Sequence, residues 1–228
     1  MTISTYEQIE ELGDGFCIIQ DKSKFCYGTD ATVLADFVVA KPREKVIDLC
    51  SGTGIIPVLL CKQTKCTDFT ALELQKDMCD LIKRTVALNQ LEDKIKVICE
   101  DLKNVKNIYP SGSFDVVTCN PPYMVQGTGK LNESDSVCIA RHEIMCTLED
   151  VVSAASYLLK CGGRFYLVHR PERLADIFVH MRKYKLEPKK MTWVCAGPKS
   201  APSLVLIEGQ KDRSCGLIIT KPLYVNFK

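Results

Sequence analysis

Lys45-Val46-Ile47-Asp48-Leu49-Cys50-Ser51-Gly52-Thr53-Gly54-Ile55-Ile56-Pro57-Val58-Leu59-Leu60-Cys61 is the stretch on which the fold turns. Val46 to Leu49 is a short apolar run suited to a buried strand, and Ile55 to Cys61 is an apolar helix. Between them lies a glycine-rich turn. Glycine lets backbone approach a ligand closely, and the helix start behind it offers unpaired N–H groups. Taken alone, such a turn serves equally well as a tight strand-to-helix connection with no ligand.

Downstream, the same alternation repeats. Thr67 to Leu74 is a second strand, and Gln75 to Asn89 is a helix with Met78, Leu81, Ile82, Val86 and Leu88 largely on one side. Lys94 to Cys99 and Phe114 to Cys119 are the third and fourth strands, Leu148 to Leu159 is a helix, and Arg164 to Val168 is a fifth strand after Gly162-Gly163. Pro171 to Tyr184 suits a helix with proline in its first turn, and β-rich runs follow at Met191 to Cys195 and Leu204 to Ile207. Strands alternating with helices predict an α/β fold: a doubly wound, seven-stranded, mostly parallel sheet with ligands at the carboxyl ends of the strands, here after the first and fourth.

Upstream, Phe16 to Gln20 and Lys24 to Tyr27 read as two strands joined by a polar turn, Asp21-Lys22-Ser23. Thr29-Asp30 offers N-cap oxygens to a helix running to about Ala40. Residues 1–40 are thus expected to form a small β/α extension of a single domain whose Rossmann-like core spans 41–228.

Composition narrows the class. With 46% hydrophobic and 25% charged residues, the 228-residue chain can bury a full core. No stretch approaches the roughly 18 to 20 apolar residues of a membrane span, and no basic-then-apolar leader is visible, so a cytoplasmic location is expected. The 13 cysteines are scattered singly without a C-x-x-C pair, which argues against a disulfide framework and against a zinc site. The net charge of +2 is uneven, with residues 160–200 carrying +7.

Three further places bear on chemistry. Glu73 ends the second strand, where a carboxylate can accept from both ribose hydroxyls of an adenosine-containing ligand. Glu100 and Asp101 end the third strand, where one acid can meet an adenine amino group or simply face water. Asn120-Pro121-Pro122-Tyr123 follows the fourth strand directly. The prolines stiffen the loop and remove donors, the Asn oxygen and a Pro carbonyl form an acceptor pair for a planar amine, and Tyr123 offers a stacking face. Accepting both N–H bonds turns the nitrogen lone pair toward a methyl donor.

The loop from Asp48, the strand-end Glu73 and the N-P-P-Y run together resemble the amino-methyltransferases that act on adenine, cytosine, guanine or glutamine nitrogens. Tyr27-Gly28-Thr29-Asp30-Ala31, Ala140-Arg141-His142-Glu143, Gly162-Gly163-Arg164-Phe165, Arg170-Pro171-Glu172-Arg173-Leu174 and Lys221-Pro222-Leu223-Tyr224 recur in order. They make the whole chain similar to the bacterial tRNA (valine-1) adenine-37 N6-methyltransferases. The resemblance implies S-adenosyl-L-methionine as cofactor, tRNA as partner, no metal, no membrane and a monomer. Tyr27, Thr29, Asp30, Asp48, Cys50, Ser51, Gly52, Thr53, Gly54, Glu73, Leu74, Asp101, Leu102 and Asn120 would surround the cofactor. Asn120, Pro121, Pro122 and Tyr123 would hold the amine. Two departures stand out: Cys50 occupies the loop's usual first glycine, and Cys161 a usual proline.

Arg141, His142, Arg170, Arg173, Arg182, Lys183 and Lys185 are expected to meet RNA, with Tyr184 and Trp193 as stacking surfaces; a solvated basic face is the alternative for His180 to Lys185 and Lys189-Lys190. The rival functions are an N5-glutamine methyltransferase of a translation protein, a small-molecule O-methyltransferase, and a non-catalytic RNA-binding relative. The first would carry an N-terminal helical domain that some forty residues cannot supply. The second would need a metal or general base.

Overall fold

The computed structural model describes residues 4–24, 26–122 and 146–226. Its organising element is a parallel sheet of β3 (Lys45–Leu49), β4 (Asp68–Glu73), β5 (Ile95–Cys99), β6 (Phe114–Cys119) and β7 (Leu159–His169), extended by β8 (Leu186–Cys195) and β9 (Pro202–Lys211). The strands lie in the order β8-β9-β7-β6-β3-β4-β5, and β9 alone of these runs antiparallel to its neighbours. The chain leaves β3 toward β4 and β5, then returns to β6 on the other side. The switch point therefore falls between β3 and β6, where such sheets hold their ligands.

Alternation along each strand divides the core into two layers. Val46, Val116, Tyr166 and Val168 face α1 (Thr29–Phe37), α2 (Ile55–Gln63) and α3 (Lys76–Leu88). Ile47, Val117, Phe165 and Leu167 face α4 (Val105–Ile108), α5 (Leu148–Leu158) and α6 (Leu174–Lys183). Burial on both sides explains why these strands read as continuous apolar runs. A capping box starts α5, with the Thr147 hydroxyl accepting from the Asp150 amide and the Asp150 carboxylate from the Thr147 amide.

The seven expected strands are all present, and three regions differ from expectation. The N-terminal hairpin is formed by β1 (Glu7–Gly13) and β2 (Phe16–Asp21), not by Phe16 to Gln20 with Lys24 to Tyr27. Its turn is Asp14-Gly15, both with positive φ (54° and 81°), as a tight hairpin turn demands. Asp21 ends β2 by accepting from the Ser23 amide at 2.9 Å and the Ser23 hydroxyl at 2.6 Å, which turns the chain away. Helix α1 begins after Gly28, with no side-chain cap, and ends at Phe37, short of the expected Ala40. Finally, two-residue strands β10 (Ile218–Ile219) and β11 (Leu223–Tyr224) pair in parallel with β8, making the sheet nine-stranded rather than seven-stranded.

The hairpin lies along α3. The Cys17 amide donates to Asn89 at 2.8 Å, the Ile19 amide to Thr85 at 3.2 Å, and Lys24 pairs with Asp77 at 2.6 Å in the first turn of α3. Arg84 clasps Glu7 and holds its carboxyl down at about 2. These ties bring the segment leading to Tyr27 to the carboxyl end of β4. Among the described residues no helix is long and apolar enough to cross a membrane.

Candidate active site

The loop after β3 adopts a backbone that only small residues tolerate well. Cys50, Gly52 and Gly54 all have left-handed φ, at 55°, 55° and 78°. A Cβ on Gly54 would sit 2.9 Å from the Ile82 Cγ2, so a side chain here would have to displace Ile82 as well as adopt a left-handed backbone. Cys50 accepts the left-handed conformation in place of a glycine, at the usual cost of about 1 to 2 kcal/mol. The loop closes on itself through the Gly54 amide to the Ser51 carbonyl (2.8 Å) and on β4 through the Ser51 amide to the Leu72 carbonyl (3.0 Å).

Two buried carboxylates hold this loop. Glu73 is 6% exposed, and its oxygens accept from the Gly52 amide at 2.8 Å and the Gln75 amide at 2.9 Å. Asp48, 1% exposed, accepts from the Ser51 hydroxyl at 2.7 Å and the Thr118 hydroxyl at 2.6 Å. Burial pushes the Asp48 carboxyl up to about 7, the two hydroxyls oppose that shift, and the charge of Glu73 adds to it.

The other expected residues distribute as follows. Tyr27 donates its hydroxyl to Glu10 at 2.7 Å; Thr29 opens α1, and the Asp30 carboxylate accepts from the Ala31 amide at 2.9 Å. Thr53 is buried and its hydroxyl has no hydrogen-bond partner among the described residues. Leu74 follows Glu73, partly exposed, and Leu102 is buried below α5. Asp101 caps the short 3₁₀ turn Leu102–Asn104 by accepting from the Lys103 amide at 2.9 Å. Glu100 accepts from the Asn104 side chain and the Asp101 amide, which in that order hold its carboxyl below the usual range. Asn120, Pro121 and Pro122 follow β6 at the end of the sheet that bears the glycine loop, because Leu49 pairs with Cys119 in register. Tyr123, Arg141 and His142 lie outside the described residues.

The basic window divides between the two ends of the sheet. Arg170 and Arg173 follow β7 at its carboxyl end, where Arg173 pairs with Asp176 at 2.8 Å. Arg182, Lys183 and Lys185 end α6 and precede Leu186, which pairs with Lys211 beyond the start of the β7 ladder. They therefore sit at the opposite end from Asn120. Arg182 pairs with Glu187 at 2.9 Å and Lys183 with Glu149 at 2.5 Å. Tyr184 also donates to Glu149, and both Tyr184 and Trp193 pack partly into the second core layer.

Sequence reasoning missed Thr118 and a knot of thiols. Thr118 is fully buried within an apolar strand, and a polar residue at an inward position of Phe114–Cys119 was the available signal. The Cys50 thiol is held well above its ordinary value, chiefly by the neighbouring Cys119 thiol. These thiols stay protonated and unreactive. All described cysteines are free, and among the described residues no group of three or more His, Cys, Asp or Glu is placed to hold a metal ion.

A doubly wound sheet with a glycine loop and an acidic strand end at its switch point is the Rossmann-like class of methyltransferases. Residues 22–180 match the methyltransferase small domain family, and the chain belongs to it. Its cofactor is S-adenosylmethionine. A tRNA1(Val) (adenine(37)-N6)-methyltransferase of Bacteroides thetaiotaomicron is 28% identical over 195 residues, covering 84% of this chain and 79% of that protein. Two solved structures share the fold. A predicted O-methyltransferase from Agrobacterium tumefaciens has a TM-score of 0.69 at 21% identity, over 86% of this chain and 87% of that one. The P. horikoshii TYW2 structure, in complex with MeSAdo, has a TM-score of 0.63 at 16% identity, over 92% and 73%.

The residues present fit the cofactor. Glu73 sets an acceptor-only carboxylate at the end of β4, the Thr53 hydroxyl is buried without a partner among the described residues, and Gly52 and Gly54 leave the backbone bare. The buried Glu73 carboxylate also gives the site a negative charge suited to a sulfonium.

Proposed function

We propose that this methyltransferase modifies an exocyclic amine, N6 of adenine in the anticodon loop of tRNA at position 37. The observation that carries the reading is the register of β3 against β6, which puts the residue before Asn120 beside the last residue before the glycine loop, in a chain similar to tRNA1(Val) (adenine(37)-N6)-methyltransferases. When bound, S-adenosylmethionine supplies an electrophilic methyl group. Gly52 and Gly54 admit it to the backbone, and Glu73 receives its ribose hydroxyls. Tyr27, Thr29, Asp30, Asp48, Cys50, Ser51, Thr53, Leu74, Asp101 and Leu102 complete its surroundings.

The Asn120 side-chain oxygen and the Pro121 carbonyl accept the two amine hydrogens, and Tyr123 stacks on the base. These contacts strengthen as the nitrogen becomes tetrahedral and positive, so they lower the barrier rather than only tightening the complex. The methylated nitrogen then releases its proton to water, which removes the need for a strong base.

The test is incubation with tritiated S-adenosylmethionine and total tRNA from a strain lacking the gene, followed by nucleoside mass spectrometry. N6-methyladenosine in one tRNA species is expected. Label in protein or in no tRNA would overturn the reading. Asn120→Ala should lower kcat by about a hundredfold, as for removal of one preorganised polar group, with donor affinity little changed.

A further inference from the structure

Thr118 and Asp48 are register partners in the parallel β3–β6 pair, and both are almost wholly withdrawn from solvent (0% and 1% exposed). The Thr118 hydroxyl reaches one Asp48 oxygen at 2.6 Å, and the Ser51 hydroxyl reaches the other at 2.7 Å. One rigid, planar carboxylate thus joins two elements. Ser51 opens the glycine loop, whose next amide, that of Gly52, is held by Glu73. Thr118 lies two residues before Asn120, which follows directly on the end of β6. An unbroken series of short contacts therefore runs from Glu73 through Gly52, Ser51 and Asp48 to Thr118, one residue short of the peptide leading into Asn120.

We propose that Thr118 is a positioning residue for methyl transfer: its bond to Asp48 fixes the loop that holds the methyl donor relative to the loop that holds the acceptor amine. The proposal rests on the reading that Asn120 binds that amine. Thr118 touches neither reactant in this scheme. Its contribution is the separation and angle between them, to which a transfer step is sensitive at the level of an ångström. A direct strand-to-strand packing role would not require a hydroxyl, because valine has nearly the same shape.

The test compares Thr118→Val, Thr118→Ser and Thr118→Cys with the wild-type full chain, using S-adenosylmethionine and the tRNA that the isotope assay identifies. Thr118→Val is expected to lower kcat by about tenfold or more, with donor Kd by calorimetry and KM for tRNA within about twofold. Thr118→Ser, which keeps the hydroxyl, should recover most of kcat. Thr118→Cys, with a weaker and longer donor, should fall between and serves if the valine variant does not fold. Wild-type kcat in Thr118→Val, or a serine variant as slow as the valine variant, overturns the proposal. So does a loss confined to donor affinity. Asn120→Ala is measured in parallel. If it too retains the wild-type rate, the reading of the amine site has failed; if it is slow while Thr118→Val is not, only the positioning role has failed.

Discussion

The Glu73 carboxylate at the end of β4 accepts the Gly52 amide at 2.8 Å, so the acid expected to meet a ribose also holds the cofactor loop in shape. Its second oxygen does the same for the Gln75 amide at the start of α3. Glu73→Ala should therefore lower donor affinity and thermal stability together. Each bond from a neutral donor to a carboxylate contributes about 1.5 to 3 kcal/mol net of its exchange with water. Calorimetric titration with S-adenosylmethionine and a thermal melt check both; unchanged affinity would remove Glu73 from the cofactor site.

Gly54 and Cys50 share a left-handed backbone but should respond oppositely to substitution. Gly54→Ala drives a Cβ into Ile82, adding about 1 to 3 kcal/mol of overpacking to about 1 to 2 kcal/mol of backbone cost, and should unfold at clearly lower denaturant. Cys50→Gly relieves that backbone cost while losing a partly buried thiol, and should stay within about 1 kcal/mol of wild type. Equal stability of wild type and Gly54→Ala in urea unfolding would contradict the loop geometry.

The buried Asp48 carboxyl predicts a pH signature. Its value in the folded protein, about 7, lies above its ordinary value of 3.8, so over that interval the native state binds more proton than the unfolded chain. Its contribution to stability is present at low pH and is lost as pH rises through about 7. Asp48→Asn has no such titration. The stability of wild type relative to Asp48→Asn, measured without donor, should fall between about pH 4 and 7 and level off above that. Parallel pH profiles would show that Asp48 is ionised throughout.

Splitting of the basic window ranks its residues. Arg170→Ala with Arg173→Ala, at the active-site end, should weaken tRNA binding and reduce the salt slope by about 0.9 for each phosphate no longer neutralised. Lys183→Ala with Lys185→Ala, at the far end, should have the smaller effect on both quantities, and none on donor affinity. A larger effect from the far pair, in binding titrations across salt concentrations, would mean that RNA docks along the length of the sheet.

Much of this molecule was readable from local pattern. Apolar runs bounded by turn residues marked all seven principal strands, because burial on both faces removes polar residues from them, and Phe114–Cys119 was legible to the residue. The glycine loop, the strand-end acid and the N-P-P-Y run were legible because each needs particular residue types at fixed places. The hairpin β1–β2 was not, since Glu7–Gly13 lies exposed at the margin and carries three glutamates where no core demands apolar side chains. The two-residue strands β10 and β11 exist only because β8 offers them an edge. Tertiary structure alone decided three matters of function: that Asp48 gives both oxygens to protein hydroxyls, that Thr118 is one of those donors, and that the basic window divides between opposite ends of the sheet. Each depends on strand register and direction, which join residues far apart in the chain and leave no trace in local spacing.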